Sequence, residues 1–253
     1  MYRTPAFNTA LQQLSYDYGC PPEAFLSERN SAVLSVNSPH RRIISPNPEA
    51  FKIVNFGKGA VIAASERLLP FAGDIIERFP YGAEGIFSAP CLTLITDMLR
   101  REGFRVGQSI QLCPKGSFRH HMLEFSQFGI SLRIYNEFEI KQLLYPLPGL
   151  DNALSRKNGT RTDVIAVCAV KDNRIIAAAG ASNDSELMWQ VGIDVIPEFR
   201  EMGIGSTLIS LITDEITNLG KLPYYGLIPG NIASLNTALA CGYAPVFTEF
   251  YTM

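Results

Sequence analysis

The stretch PEFREMGIGSTLISLI, Pro197 to Ile212, sets a glycine-rich turn at the head of an apolar-periodic segment. Ile204, Leu208, Leu211, Ile212, Ile216 and Leu219 recur at helical spacing, and Gly220 follows as a stop. The preceding ELMWQVGIDVI, residues 186–196, reads as a strand, so the unit is strand, turn, amphipathic helix. A helix start of this kind suits a phosphate, because its first amides point outward and Gly203 and Gly205 put no side chain in the way. A P-loop would need GxxxxGK[ST], and neither the spacing nor the lysine is present. A dinucleotide fingerprint would need a third glycine where this chain has Leu208, and a parallel βαβ unit where the strands read as a meander.

Working outward, DVIAVCAVKD, RIIAAAGASN and ELMWQVGIDVI form three successive strands joined by turns at Asp172-Asn173 and Asn183-Asp184. After them the chain alternates: helix 204–219, strand 223–229, helix 231–241, strand 244–252. Upstream, a strand at 129–135 leads to a helix over 136–144, a Pro/Gly break at YPLPG and a short helix before RKNGT. The weakly periodic region from Pro114 to Gln127 reads as a connection. Before it come a helix at 4–18, a strand at 31–38, two strands folded at Gly57-Lys58-Gly59, helices near 66–78 and 84–103, and a strand at VGQSIQLCP. The expected fold class is α/β, a mixed, mostly antiparallel sheet flanked by helices. It divides into an N-terminal α/β domain, 1–120, with no assigned role, and a C-terminal domain, 126–253.

Arg200-x-x-Gly203-x-Gly205 resembles the pyrophosphate loop of the GNAT acetyltransferase superfamily, and VIPEFR resembles that family's lead-in to it. In NIASLNTALACGY, Asn231, Ser234, Ala238, Gly242 and Tyr243 stand at the spacing of the family's following helix and turn. The resemblance spans roughly 126–253, with its specific part at 188–245. It implies that coenzyme A lies in a wedge between two splayed strands. The amides of Glu201, Met202, Gly203, Ile204, Gly205 and Ser206 would bind pyrophosphate beside Arg200, and the backbones of Ile193 and Val195 would pair with the pantetheine arm. Asn231 serves as a helix N-cap and Ser234 leaves room for the thioester. Glu201-Met202 replaces the basic pair of many relatives, and a carboxylate there costs binding some part of about 0.3–1 kcal/mol.

Relatives often place a Glu base where this chain has Trp189 and a Tyr acid where it has Ala238. Gln190, Asp194 and Tyr225 are the candidate catalytic residues, with Tyr224 and Glu186 also near the cleft and one of the two tyrosines expected in the core. His120-His121 reads as loop surface rather than a metal site, because no partner stands at ligand spacing; Cys241 reads as packing, and Trp189 as core.

The resemblance implies an acetyl-CoA-dependent N-acetyltransferase that moves an acyl group directly from the CoA thioester to the amine of a small molecule or amino-acid-like acceptor. A non-catalytic acyl-CoA-binding or regulatory module is the alternative, and a redox dinucleotide enzyme a third reading. The cosubstrate is acetyl-CoA or another acyl-CoA, with no metal. With 253 residues, 47% of them hydrophobic, and a net charge of −2, the chain lacks the basic excess that nucleic-acid binding needs. His40-Arg41-Arg42 and Arg100-Arg101 read as a solvated strand start and a helix end. No apolar run approaches the roughly 20 residues of a membrane span. Five scattered cysteines and the lack of a signal peptide place the protein in the cytoplasm with reduced thiols. Its partners are a small-molecule amine, with no nucleic acid and no membrane; a homodimer is allowed but not specified.

Overall fold

The computed structural model describes residues 4–44, 47–116, 125–145, 147–154 and 162–253. The chain falls into two compact units. The N-terminal unit comprises 7–111, 227–230 and 245–253; the C-terminal unit comprises 1–6, 112–226 and 231–244. The end of the chain, 245–253, thus clusters with the N-terminal unit, whereas the sequence reading groups it with the C-terminal domain.

The N-terminal part contains α1 (Pro5–Tyr18), β1 (Ser31–Leu34), β2 (Phe51–Asn55), β3 (Ala60–Ala64), α2 (Leu69–Arg78), α3 (Gly82–Ile86), α4 (Ala89–Arg101) and β4 (Val106–Pro114). β2 and β3 pair antiparallel from Phe51↔Ala64 to Asn55↔Ala60, the hairpin expected at Gly57-Lys58-Gly59. The helix expected at 84–103 is two helices. Pro90 has no amide to continue a helix from α3, and Ser88 is extended at ψ 150°, so α4 starts afresh. Ile53, Ile62, Ile75, Ile86, Ile95 and Leu99 are among the buried residues that join these elements into one core.

Arg41 and Arg42 are only 6% and 3% exposed, which corrects the expectation of a solvated strand start. Arg42 binds Asp17 at 2.5 Å and Glu249 at 2.8 Å. Lys52 binds Glu49 at 3.0 Å in the same buried cluster. Charge pairing offsets the desolvation of Arg42 and Lys52, while Arg41 donates to Asn37 Oδ1 and the Arg42 carbonyl. Arg100 and Arg101 do lie in the last turn of α4, as expected.

The C-terminal part contains β5 (Ile130–Asn136), α5 (Glu137–Glu139), β6 (Asp163–Lys171), β7 (Arg174–Ser182), β8 (Met188–Val195), α6 (Ile204–Asn218), β9 (Leu222–Leu227), α7 (Ile232–Ala240) and β10 (Tyr243–Thr252). Its sheet runs β9-β8-β7-β6-β5, antiparallel except for β8–β9. The N-terminal unit's strands run β1-β3-β2-β10-β4. Both Asp172 and Asn173 take positive φ, the mark of the tight β6–β7 turn predicted at those residues. α6 packs on β6, β7 and β8 through Ile204, Leu208, Ile209, Ile212 and Ile216. Leu219, expected on that stripe, lies past the helix end and is exposed.

Two helices come out shorter than expected. Asn136 and Glu139 close a capping box on α5, but Ile140–Leu144 widens into a π turn. Residues 151–154 form a turn rather than a helix, and the RKNGT run lies outside the described residues. All five cysteines are buried, and none is in a disulfide. Among the described residues, no helix is long and apolar enough to cross a membrane.

Candidate active site

β8 is held on one edge and open on the other. Towards β7 it pairs from Gln190↔Ser182 to Val195↔Ala177. Towards β9 pairing covers only Met188 to Gln190, ending at Tyr224. The amide of Ile196 donates to Ile176 O, so the even-numbered residues of this stretch direct their backbone groups to β7. Alternation then turns the backbones of Ile193 and Val195 the other way, into the opening beyond Gln190. These are the two residues expected to meet a pantetheine arm.

At the end of β8 the chain makes a short 3₁₀ turn, Pro197–Phe199, and then takes left-handed conformations at Glu201 (φ 63°) and Gly203 (φ 77°). Such alternation makes a concave run of amides. Gly203 is the N-cap of α6 and supplies no side-chain cap. The amides of the first turn are therefore left for a ligand. Arg200 Nε donates to Val195 O at 3.0 Å, tying the loop to the strand that precedes it. A Cβ on Gly205 would lie 3.5 Å from Val195 Cγ2, an ordinary contact. Position 205 therefore has room for a methyl group, whereas Gly203 needs its glycine conformation.

α7 begins as expected: Asn231 Oδ1 accepts from the Ser234 amide at 3.1 Å. Ser234 also hydrogen-bonds the hydroxyl of Tyr225, a buried side chain within β9. Burial pushes the Tyr225 phenol up to about 12; the Ser234 bond opposes the shift, and Cys241 and Asp194 add to it. Ala238 is fully buried and has no hydroxyl, so position 238 itself offers no acid. Cys241 Sγ reaches Ser206 O at 3.7 Å, and burial raises its thiol pKa, which fits the packing role expected for it.

Gln190, Gly192 and Asp194 share the sheet face opposite the one where Ile193 and Val195 meet Gly205. Asp194 Oδ2 accepts from the amides of Asn152 at 2.7 Å and Ala153 at 2.9 Å, and Oδ1 accepts from Asn152 Nδ2 at 2.8 Å. Gly180 and Gly192 pair directly across β7 and β8. A Cβ on either would collide with a backbone carbonyl, of Ala153 or Asn152 respectively. Sequence reasoning did not find this contact. Its signal was present as a lone glycine in each of two β-rich runs, the mark of close backbone approach.

The other candidates are more dispersed. Tyr224 is buried with its hydroxyl on the carboxylate of Asp184; Tyr225 is buried too, so both tyrosines are interior where only one was expected to be. Glu186 is exposed, and Trp189 is half-buried opposite Pro223. His120-His121 lie outside the described residues. Among the described residues, no cluster of three or more His, Cys, Asp or Glu is arranged to hold a metal.

Residues 133–243 match the acetyltransferase (GNAT) family. No curated protein matches the sequence significantly. Among solved structures, a GNAT-family acetyltransferase from Novosphingobium aromaticivorans is similar at 17% identity and a TM-score of 0.45, covering 58% of this chain and 64% of its own. A GCN5-related N-acetyltransferase-like protein from Streptococcus suis is similar at 10% identity and 0.47, covering 66% and 69%. The aminoglycoside N-acetyltransferase AAC(6')-Iy, solved in complex with CoA, is 22% identical over 46% of this chain and 89% of its own, at 0.34. The chain therefore spans just under two thirds of the Novosphingobium protein's length.

Proposed function

From a C-terminal half that belongs to the acetyltransferase (GNAT) family, we propose that the protein is an acetyl-CoA-dependent N-acetyltransferase acting on the amine of a small-molecule acceptor. The observation that carries this reading is the opening beside β8. Ile193 and Val195 lie beyond the last β8–β9 pair, on a strand edge that ends at the left-handed loop and first turn of α6. An amide-bearing arm that terminates in a diphosphate needs these two features in that order. This reading assigns acyl-CoA binding to 126–253, with a cytoplasmic location in keeping with five thiols outside any disulfide.

In this reading, the backbone of Ile193 and the amide of Val195 bind the arm by strand-like hydrogen bonds. The amides of Glu201 to Ser206 hold the diphosphate, and Arg200 braces the loop through Val195 O. Asn231 starts α7, and Ser234 flanks the thioester end. When bound, acetyl-CoA supplies the acyl group. Tyr225, protonated throughout the neutral range and shared with Ser234, donates a hydrogen bond where the thiolate leaves. A thiol's ordinary pKa of about 8.5 means that full proton transfer is not required. Gln190 lies near the acceptor side as a polar positioning group.

The test is a panel of primary amines with acetyl-CoA, read by thiol release and paired with calorimetry of CoA binding. Release of thiol with at least one amine, together with saturable CoA binding, supports the proposal. Binding without turnover across the panel favours a non-catalytic acyl-CoA module, the reading that Ala238 and Trp189 suggest. NAD binding without CoA binding overturns both.

A further inference from the structure

We propose that Asp194 is a positioning residue: its carboxylate staples residues 150–154 onto the Gly180–Gly192 pair to form the acceptor-side wall, and it sets acceptor affinity without carrying a proton. The proposal rests on the acyltransferase reading above. The geometry is a two-part clamp. The facing glycines leave a flat patch in the sheet where the carbonyls of Asn152 and Ala153 settle, and no side chain larger than hydrogen fits beneath them. Two residues further along β8, and so on the same face as Gly192, Asp194 takes the two amides of that turn and the side-chain amide of Asn152. The turn therefore engages the sheet through its carbonyls at the glycines and its amides at the carboxylate. Leu150, Ala153 and Leu154 are buried beneath it, while Asp151 and Asn152 remain exposed.

This clamp lies on the sheet face opposite α6, beside Gln190, where β8 parts from β9. An acceptor that approaches a thioester held in that opening from this face meets residues 150–154. Three donors take most of the carboxylate's acceptor capacity and fix its orientation against the turn. Nothing of this kind holds for Tyr225, which is on the other side of the opening and bonded to α7.

Three variants of the full chain separate positioning from proton transfer. In Asp194→Asn the side-chain oxygen keeps both backbone amides, and a turn of the Asn152 amide restores the third bond with its direction reversed. This variant retains kcat and acceptor KM within about threefold, with the pH profile of kcat unmoved. Asp194→Ala and Gly192→Ala both raise acceptor KM by about tenfold or more and speed amide exchange at residues 152 and 153, with CoA affinity unchanged. Gly192→Ala is the sharper arm, because it displaces the turn and leaves the carboxylate in place. The proposal is overturned if Asp194→Asn loses about 10²–10⁴-fold in kcat together with one limb of the pH profile, the behaviour of a general base. It is also overturned if Asp194→Ala leaves exchange at 152 and 153 as in the wild type. Exchange is read without substrate. A wild type that binds no CoA would sink the functional reading, while the staple would still stand or fall on the exchange result.

Discussion

Two glycines two residues apart, Gly203 and Gly205, should respond in opposite ways to the same substitution. Gly203 is the N-cap of α6 at φ 77° and ψ 2°, and an L-residue in that left-handed conformation costs about 1–2 kcal/mol. Gly205 lies inside α6, and its added methyl would meet only Val195 Cγ2 at 3.5 Å and Ile193 Cγ1 at 3.9 Å. At a helical position alanine is favoured over glycine by up to about 1 kcal/mol. Gly203→Ala should therefore lower unfolding free energy by about 1–2 kcal/mol and weaken CoA binding by about 5- to 30-fold if the loop relaxes out of its concave form. Gly205→Ala should be neutral to stabilising by up to about 1 kcal/mol and bind CoA within about threefold of the wild type. Urea denaturation gives the first quantity, and titration calorimetry gives the second. Equal destabilisation by the two substitutions would refute the assignment of left-handed geometry to one and helical geometry to the other. Equal loss of CoA affinity without loss of stability would show that the amides, and not the turn, are sensitive to both.

Glu201, a non-glycine residue at φ 63°, carries strain and a negative charge in the same loop; Glu201→Gly should raise stability by about 1 kcal/mol and tighten CoA severalfold, measured by the same two methods. Arg42→Ala would leave Asp17 and Glu249 buried without their cation. It should cost about 3–5 kcal/mol in denaturant unfolding, and a loss below about 1 kcal/mol would argue against a buried pair. The phenol of Tyr225 is raised in the folded state, so the stability it contributes is fully present below about pH 10 and is lost as pH rises through about 12. In that window Tyr225→Phe should flatten the alkaline fall in stability by about 1.4 kcal/mol per pH unit, and an unchanged slope would contradict the burial.

The C-terminal strands, α6 and α7 were legible because their signals are local: hairpin turns at Asp172-Asn173, a glycine N-cap at 203, an asparagine cap at 231. The wedge beside β8 was legible only through the family resemblance, since nothing in periodicity tells where a parallel pair stops. The clamp at Asp194 was not found, because its parts lie about forty residues apart in sequence and the turn at 150–154 has no pattern of its own. Arg42 was misread for a related reason. A histidine and two arginines in a row suggest solvent, and only the return of Asp17 and Glu249 from distant parts of the chain offsets the burial of Arg42. The helix expected at 84–103 failed where Pro90 starts a new helix within a continuous apolar periodicity.

The central claim is that coenzyme A occupies the open edge of β8 and the head of α6. Amide chemical-shift mapping during a CoA titration tests it most directly. The account predicts saturable shifts at Ile193, Val195 and residues 201–206, with Gly203→Ala weakening the response and NAD producing none. Saturation with the shifts confined to other residues, or no saturation by CoA at all, would contradict it.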